Sequence, residues 1–263
     1  MERVQKRKIS VIMLFVVVCD SMRYREERGT MERIFKILPK YAILPIIVSL
    51  SFNMFAYFGT RPITNKLHHY DLSIPLDHQL PMIPFFMIPY LLAFATWIVG
   101  FVIICRENRQ LCYMVMTAEQ IAKLFCVTFF LLMPTEMARP EVVGDGLSVW
   151  LTNFVYAMDE PNNLFPSIHC LLSWLVFRGA MRCKKVGNGY RTFMFLYAIL
   201  IFVTVLLTKQ HLFVDILAGI AVVEIGLYVS RNFKVYRVYY LIERLYRRTW
   251  LEPRTNIADS TER

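Results

Sequence analysis

The amino-acid sequence predicts an all-α, polytopic membrane protein built as a six-transmembrane-helix bundle. The chain of 263 residues is 56% hydrophobic and only 19% charged, whereas about a quarter of the residues in soluble domains are charged. Its mean hydropathy is +0.43. The apolar residues form six runs, and basic residues occupy alternate loops between them. A soluble core of this length cannot bury so much apolar surface, so the expected solvent is the lipid bilayer.

The six runs are expected to be helices, because a spanning segment must satisfy its own backbone polar groups. A span needs about 20 residues. Several runs are shorter, which predicts tilting or local thinning of the bilayer. Glu119 and Lys123 are expected at the end of the third run. The runs cover residues 41–57, 85–105, 121–133 with an extension back toward 114, 164–177, 193–207 and 213–228.

Lysine and arginine in the short loops predict the orientation. They are concentrated before the first run, after the second (Arg106 and Arg109), after the fourth and after the sixth. The loops between these contain acids instead, for example Asp71 and Asp159. With six spans, all basic loops fall on one side. This predicts cytoplasmic N- and C-termini in a bacterial plasma membrane.

Three segments are expected: a basic cytoplasmic segment at 1–40, a membrane domain at 41–228 and a basic cytoplasmic tail at 229–263. The first residues resemble a signal peptide, but no small-residue cleavage site follows, and Met31 is an alternative start. The tail alternates basic and aromatic residues. This pattern is typical of an amphipathic helix on anionic headgroups. The favoured interpretation is a solvated positive flank.

Other sites receive little support from the sequence. The net charge of +10 follows from the loop topology, and no recognition motif indicates nucleic-acid binding. The six cysteines lack the paired spacing of a zinc site and are expected to be buried. Histidines and acids at 68–78 suggest a metal cluster. The prolines between them instead favour a loop at the membrane interface that acts as a lid or as a rim for lipid entry. We therefore expect no metal and no other cofactor.

Two histidines begin predicted spans on the same side of the membrane. His169 opens the fourth run, and His211 precedes the sixth. Asp215 lies four residues after His211, so the two are expected on one helix face. A carboxylate that binds one imidazole nitrogen fixes the tautomer and leaves the other nitrogen free as nucleophile or base. Such a site is suited to phosphoryl transfer, in which an imidazole attacks phosphorus and forms a phosphohistidine while a second histidine protonates the leaving oxygen.

The equatorial oxygens of a transferring phosphate need donors. Ser167, Arg139 and Lys209 are the candidates near the two histidines. Ser167 also lies at a helix start, where free backbone amides favour anions. Cations supplied by the protein make a metal unnecessary for this chemistry.

The stretch Phe-Pro-Ser-Ile-His at 165–169 and the stretch Thr-Lys-Gln-His-Leu-Phe-Val-Asp at 208–215 resemble the second and third signature motifs of the type 2 phosphatidic acid phosphatase superfamily. The resemblance covers roughly residues 41–228. It implies a six-helix membrane bundle with an external active site. It also implies that His211 is the nucleophile, that Asp215 orients it and that His169 is the general acid.

The first family motif, a lysine followed after six residues by Arg-Pro, is incomplete. Arg-Pro is present at 139–140, but Leu132 stands in the lysine position. Ile168 replaces the usual glycine of the second motif, and Val205 replaces the arginine of the third. Arg-Pro at 61–62 is a weaker candidate for the first motif. This divergence resembles the branch that includes the sphingomyelin and inositol phosphorylceramide synthases.

The sequence therefore predicts a hydrolase of lipid metabolism that removes phosphate from a phosphorylated membrane lipid, such as phosphatidate or a polyprenyl pyrophosphate, at the outer leaflet. One alternative is a lipid phosphotransferase of the synthase type, which passes the headgroup phosphate to an alcohol. Another is a non-catalytic membrane scaffold. Glu224 is an acid within the sixth run, but it lies about two and a half turns from Asp215. It is expected to pair with another helix.

Overall fold

The computed structural model describes residues 37–250, and the regular structure there is almost entirely helical. In chain order the elements are α1 (Lys40–Met54), a π-helical turn (Phe55–Gly59), α2 (Arg61–Thr64), β1 (Tyr70–Asp71), α3 (Pro75–Gln79), a 3₁₀ turn (Pro84–Phe86), α4 (Met87–Glu107), α5 (Arg109–Leu132), β2 (Thr135–Glu136), α6 (Leu147–Met158), α7 (Ile168–Ala180), α8 (Asn188–Leu207), α9 (Phe213–Asn232) and α10 (Arg237–Trp250).

Five helical segments of the described chain are long and apolar enough to cross a membrane. They confirm an all-α integral membrane protein. Their bounds are Lys40–Thr64, Pro84–Glu107, Arg109–Leu132, Asn188–Leu207 and Phe213–Asn232. The fourth predicted run forms α7, a helix of 13 residues. It is about 20 Å long at the usual rise per residue, against about 30 Å for the hydrocarbon core. The count of six spans therefore stays a prediction.

The order of the helices defines two ends of the bundle. The starts of α4, α7 and α9 lie at one end, with the ends of α5 and α8. We call this the histidine end, because it contains His169 and His211. The α4–α5 and α7–α8 junctions lie at the other end, where the backbone amide of Lys185 donates to Glu107 Oε2 at 3.1 Å. We call it the basic end.

Helix α5 is the most buried of the five candidate spans, and it packs along α9. The backbones approach closely at Gly226, where an added Cβ would lie 2.4 Å from Ala118 O. About one turn further on, Ser230 Oγ donates to Met114 O at 2.8 Å. Small residues permit such contacts in lipid, where dispersion packing and interhelical hydrogen bonds drive association. The α5–α9 pair forms the centre of the fold.

The expectation that Glu119 and Lys123 lie at the end of the third span is wrong. Helix α5 begins at Arg109, so both residues fall near its middle. Their side chains are buried and paired with each other, and Ser49 Oγ of α1 donates to Glu119 Oε1 at 2.7 Å. A charge inside a membrane is costly unless it is paired. This pair therefore links α1 to α5.

The interpretation of the tail as a solvated flank is wrong for its described part. Helix α9 continues to Asn232, and α10 follows as an amphipathic helix. Tyr236 and Tyr239 are buried, and the Tyr239 hydroxyl donates to Gln120 Oε1 of α5 at 2.8 Å. The first part of the tail is therefore packed on the membrane domain.

Some predictions fall on residues outside the described range. These are the signal-like segment, the alternative start at Met31 and residues 251–263 of the tail. The segment boundaries near 40 and 228 remain predictions. The five cysteines within the described residues are free and buried, in agreement with the sequence analysis.

Replacing Gly226 with alanine is expected to destabilise the protein, because the new Cβ would overlap the backbone carbonyl of Ala118. Overpacking of a close-packed interior typically costs about 1–3 kcal/mol. Thermal unfolding of the purified protein in detergent measures the effect. Gly189→Ala is the matched control, because an added Cβ there meets nothing within 4 Å. Equal unfolding midpoints for the two variants would contradict the close α5–α9 contact.

Candidate active site

The imidazoles of His169 and His211 meet at the histidine end of the bundle. His169 is the second residue of α7, and His211 lies in the short connection between α8 and α9. Nδ1 of His169 is 3.4 Å from Nε2 of His211, and the ring centroids are 5.5 Å apart. The structure thus brings together two side chains that are 42 positions apart in the sequence. Two imidazoles at this distance can act on the same phosphorus centre.

Asp215 contacts the other nitrogen of His211. Its Oδ2 is 3.4 Å from His211 Nδ1, an ion-pair distance longer than a close hydrogen bond. The same oxygen accepts from the backbone amide of Leu212 at 2.8 Å, which caps the start of α9. The expectation of a shared helix face is wrong, because α9 begins at Phe213 and His211 precedes it. The contact instead spans the N-terminal turn of the helix.

Ser167 caps the start of α7 and is fully buried. Its Oγ accepts from the backbone amide of Cys170 at 3.2 Å. Its own backbone amide donates to Asp215 O at 3.1 Å. Ser167 therefore links the helix start that carries His169 to the helix start that carries Asp215. Its predicted role as a phosphate donor stays a prediction.

An aromatic wall formed by Tyr90, Phe94 and Trp97 of α4 encloses His169. The Tyr90 ring stacks on the imidazole with centroids 4.6 Å apart, and the Trp97 and Phe94 centroids lie at 5.6 and 6.1 Å. Trp97 Nε1 also donates to Ser173 Oγ at 3.0 Å. None of the sequence motifs indicated this wall. Its signal is the spacing of aromatic residues at i, i+4 and i+7, which places them on one face of a helix.

Arg139 holds the connection that carries His211. Its guanidinium donates to Lys209 O at 3.2 Å and to Gln210 Oε1 at 2.8 Å, and it also donates to Asp159 O. It lies over the Tyr156 ring, 4.6 Å from the centroid. Burial lowers the pKa of this arginine. Arg139, which was predicted to bind the substrate phosphate, therefore lies close to His211, and its guanidinium is fixed by the backbone around that histidine.

Asp159 binds both arginines of the Arg-Pro pairs at 61–62 and 139–140, the two candidates for the first family motif. Arg61 Nη2 lies 3.1 Å from Asp159 Oδ1, and Arg139 Nη2 lies 3.8 Å from Oδ2. Tyr57 donates its hydroxyl hydrogen to the same carboxylate. Burial raises the pKa of Asp159 from 3.8 to about 6, and the proximity of His211 opposes this rise. The sequence analysis counted Asp159 only as a loop charge, and no pattern in the sequence links it to Arg61.

The contacts of Lys209 differ from those expected of a phosphate ligand. Its ammonium donates to the carbonyl oxygens of Asp77 and Leu80, both at 2.7 Å. Asp77 Oδ1 in turn accepts from the Phe213 amide at 2.9 Å. Lys209 has φ 50°, a left-handed conformation uncommon outside glycine. In this arrangement Lys209 ties the α3 segment to the start of α9, and its role toward phosphate stays a prediction.

The histidines and acids at 68–78 have separate partners. His69 Nδ1 lies 3.0 Å from Glu136 Oε2, and His78 Nε2 lies 3.1 Å from Ser73 Oγ. Among the described residues, no group of three or more His, Cys, Asp or Glu side chains converges as metal ligands would. Glu224, the acid within α9, accepts from Trp174 Nε1 at 2.7 Å and pairs with Arg178 at 3.0 Å, as expected.

A family model described as the PAP2 superfamily matches residues 69–229. The matched range contains the two histidines, Asp215, the three predicted phosphate donors and the aromatic wall. It does not reach Tyr57 or Arg61. No curated protein and no solved structure matches the chain.

The raised pKa of Asp159 predicts a specific pH dependence of stability. Between about pH 4 and pH 6 the native carboxyl holds a proton that the unfolded carboxyl has lost, so its contribution to stability falls as the pH rises. The unfolding midpoint of the natural protein, relative to Asp159→Asn, should therefore fall across this range. Asp145→Asn, an exposed acid of the same loop, controls for the change in net charge. A constant difference between natural protein and Asp159→Asn would contradict the prediction.

Proposed function

The chain belongs to the PAP2 superfamily, and from this membership we propose that it removes phosphate from a membrane lipid through a covalent phosphohistidine on His211. The membership confirms the resemblance indicated by the signature motifs. It supports an enzyme that acts as a phosphatase or phosphotransferase on phosphorylated lipids. The observation that carries the finer proposal is the placement of His211 between the imidazole of His169 and the carboxylate of Asp215.

In the first step, the two imidazoles move apart from their 3.4 Å contact, and the phosphate group binds between them. Nε2 of His211 attacks phosphorus while its Nδ1–H remains directed at Asp215, so the N–P bond forms as the bond to the leaving oxygen breaks. Nδ1 of His169, which the bound phosphate anion holds in the protonated form, gives its proton to that oxygen, and the dephosphorylated lipid leaves as an alcohol. Asp215 stabilises the positive charge on the phosphorylated imidazole.

In the second step, water replaces the lipid alcohol. Nδ1 of His169, now neutral, takes a proton from the water as its oxygen attacks phosphorus. The N–P bond breaks, inorganic phosphate leaves, and His211 returns to its neutral form. Protons balance over the cycle, because His169 donates one and then recovers one. The aromatic wall restricts the motion of the His169 ring, which keeps Nδ1 directed at His211 in both steps.

Two arginines can supply the charge that the incomplete family motifs lack. Leu132, in the lysine position of the first motif, is exposed, and Val205, in the arginine position of the third, is buried and apolar. Arg139 and Arg61 instead converge on Asp159. Asp159 lies close enough to His211 to interact with it electrostatically. We therefore assign the equatorial phosphate oxygens to this arginine pair, with Arg61 contributed from outside the matched range.

The surroundings of the site favour a lipid substrate. Helix α6 ends at Met158, next to Asp159, and presents exposed Leu147, Trp150 and Phe154. The Trp150 and Phe154 rings stack with centroids 5.6 Å apart. Exposed aromatic residues are enriched at membrane–water interfaces. A short helix of this kind at the histidine end fits a site that receives headgroups directly from the adjacent leaflet. We assign this leaflet as the outer one from the charges of the loops.

The variant His211→Ala is expected to lower phosphate release by a factor of about 10³ or more, because it removes the nucleophile. Release from phosphatidate in detergent micelles is the measurement. His68→Ala is the matched control, because His68 is exposed and makes no contact with either imidazole among the described residues. Peptide mapping of the rapidly quenched natural protein should place labelled phosphate on His211. Unchanged release by His211→Ala would exclude a catalytic role for His211, whereas no release by either the natural protein or the variant would favour the scaffold.

Hydrolysis and transfer share the first step and differ only in the second nucleophile. Purified protein given radiolabelled phosphatidate, with and without candidate alcohols, is expected to produce free inorganic phosphate in both cases. Vanadate, which mimics the phosphorus transition state, is expected to inhibit the reaction. A labelled phosphomonoester of the added alcohol would instead identify a transferase.

A further inference from the structure

A cavity of about 440 Å³ lies beside the C-terminal helix, at the basic end of the bundle. It is lined by Gln110, Tyr236, Arg237, Tyr240 and Leu241. Gln110 belongs to the first turn of α5, and the other four residues lie at or next to the start of α10. Helix α9, whose 20 residues span about 30 Å, separates this cavity from the histidine pair. The cavity is therefore distinct from the candidate active site.

The walls of the cavity are fixed by contacts between α10 and α5. Gln110 Nε2 donates to the Tyr236 hydroxyl at 3.2 Å. The Tyr113 ring packs on Tyr240, with centroids 4.9 Å apart, and the Tyr113 hydroxyl donates to Glu243 Oε2 at 3.2 Å. Arg109 also pairs with Glu243 at 3.2 Å. Helix α10 is thus held by aromatic, polar and ionic contacts, which preserve the shape of the cavity.

Arg237 gives the cavity a positive charge that the fold does not neutralise. Its side chain is exposed, and it forms no ion pair among the described residues. It is also the first residue of α10, where the helix dipole disfavours a cation. The helix therefore gains nothing from a positive charge at this position. An anionic group in the cavity would compensate the charge of Arg237 and the positive end of the helix together.

The outer surface of α10 matches a bilayer better than water. Among the side chains described, residues 237–245, four apolar ones are exposed: Val238, Leu241, Ile242 and Leu245. Basic residues near them are exposed as well, including Arg231, Lys234, Arg237 and Arg244. An amphipathic helix of this composition lies in the membrane interface, with its apolar side chains among the acyl chains and its cations among anionic headgroups. Leu241 belongs both to this surface and to the cavity wall.

We propose that the cavity at the start of α10 binds the phosphate headgroup of an anionic phospholipid from the leaflet opposite to the histidine pair. The guanidinium of Arg237 binds the phosphate oxygens. The amide of Gln110 and the hydroxyl of Tyr240 line the cavity beside the headgroup. The acyl chains leave the cavity over Leu241 into the leaflet. This site does not depend on the chemistry of His211. A catalytically inactive protein would retain it.

Native mass spectrometry of the full-length protein in detergent tests this proposal. The protein is supplied with equal amounts of phosphatidylglycerol and phosphatidylcholine, and the retained lipid is counted. The natural protein should retain phosphatidylglycerol preferentially. Arg237→Gln should lower that retention about fivefold, since an arginine at an anionic membrane surface contributes about 1 kcal/mol. Arg244→Gln is the matched control, because it removes the same charge from the same helix but does not line the cavity.

Retention of phosphatidylglycerol by Arg244→Gln at the natural level, with loss in Arg237→Gln, supports the site. Equal loss in both variants would overturn it, because the attraction would then be that of a basic helix in general. No loss in either variant would overturn it as well. Millimolar inorganic phosphate should leave the retained lipid unchanged, and displacement would show a free-anion site instead. Unchanged elution in gel filtration and unchanged phosphate release confirm that Arg237→Gln is folded.

Discussion

The close approach of α9 to the start of α7 is the constraint on which the candidate site depends. At Gly219 an added Cβ would lie 2.8 Å from Ser167 O and 3.3 Å from Leu171 N. The amide of Ser167 donates to Asp215 O beside this contact. A side chain at 219 would separate the two helices. Because His169 follows Ser167 by two residues, and His211 precedes the start of α9, this approach determines the distance between the imidazoles.

Several polar groups beside this contact are buried in an otherwise apolar protein. Backbone and carboxylate groups that cannot reach water must be satisfied by the chain itself. Oδ2 of Asp215 meets this requirement by accepting from the Leu212 amide, and the same oxygen lies 3.4 Å from His211 Nδ1. Asp159 meets it by binding Arg61 and Tyr57. Ser167 and Asp215, which cap the starts of α7 and α9, therefore also lie beside the imidazole pair.

The two ends of the bundle carry different chemistry. The histidine end contains the imidazoles, the arginine pair and the exposed aromatic residues of α6. The basic end contains the α10 helix and the cavity beside its start, where Arg237 forms no ion pair within the described chain. Between them, the buried pair of Glu119 and Lys123 links α1 to α5. A lipid bound at one end and a reaction at the other would involve separate lipid populations.

The sequence by itself determined the class of the protein and the identity of its central residues. Hydropathy and composition required a membrane protein, because a soluble core of this length cannot bury so much apolar surface. Segments that span lipid must then be helices, because they satisfy their own backbone hydrogen bonds. The motifs around His169 and His211 indicated the family and the chemistry. Tertiary structure decided what local patterns cannot encode. Arg61 meets Asp159, the α4 aromatics enclose His169, and Lys209 binds backbone carbonyls of the α3 segment. Each of these contacts joins segments that are distant in the chain. The packing of α10 was likewise decided by tyrosines that find partners only on the folded α5.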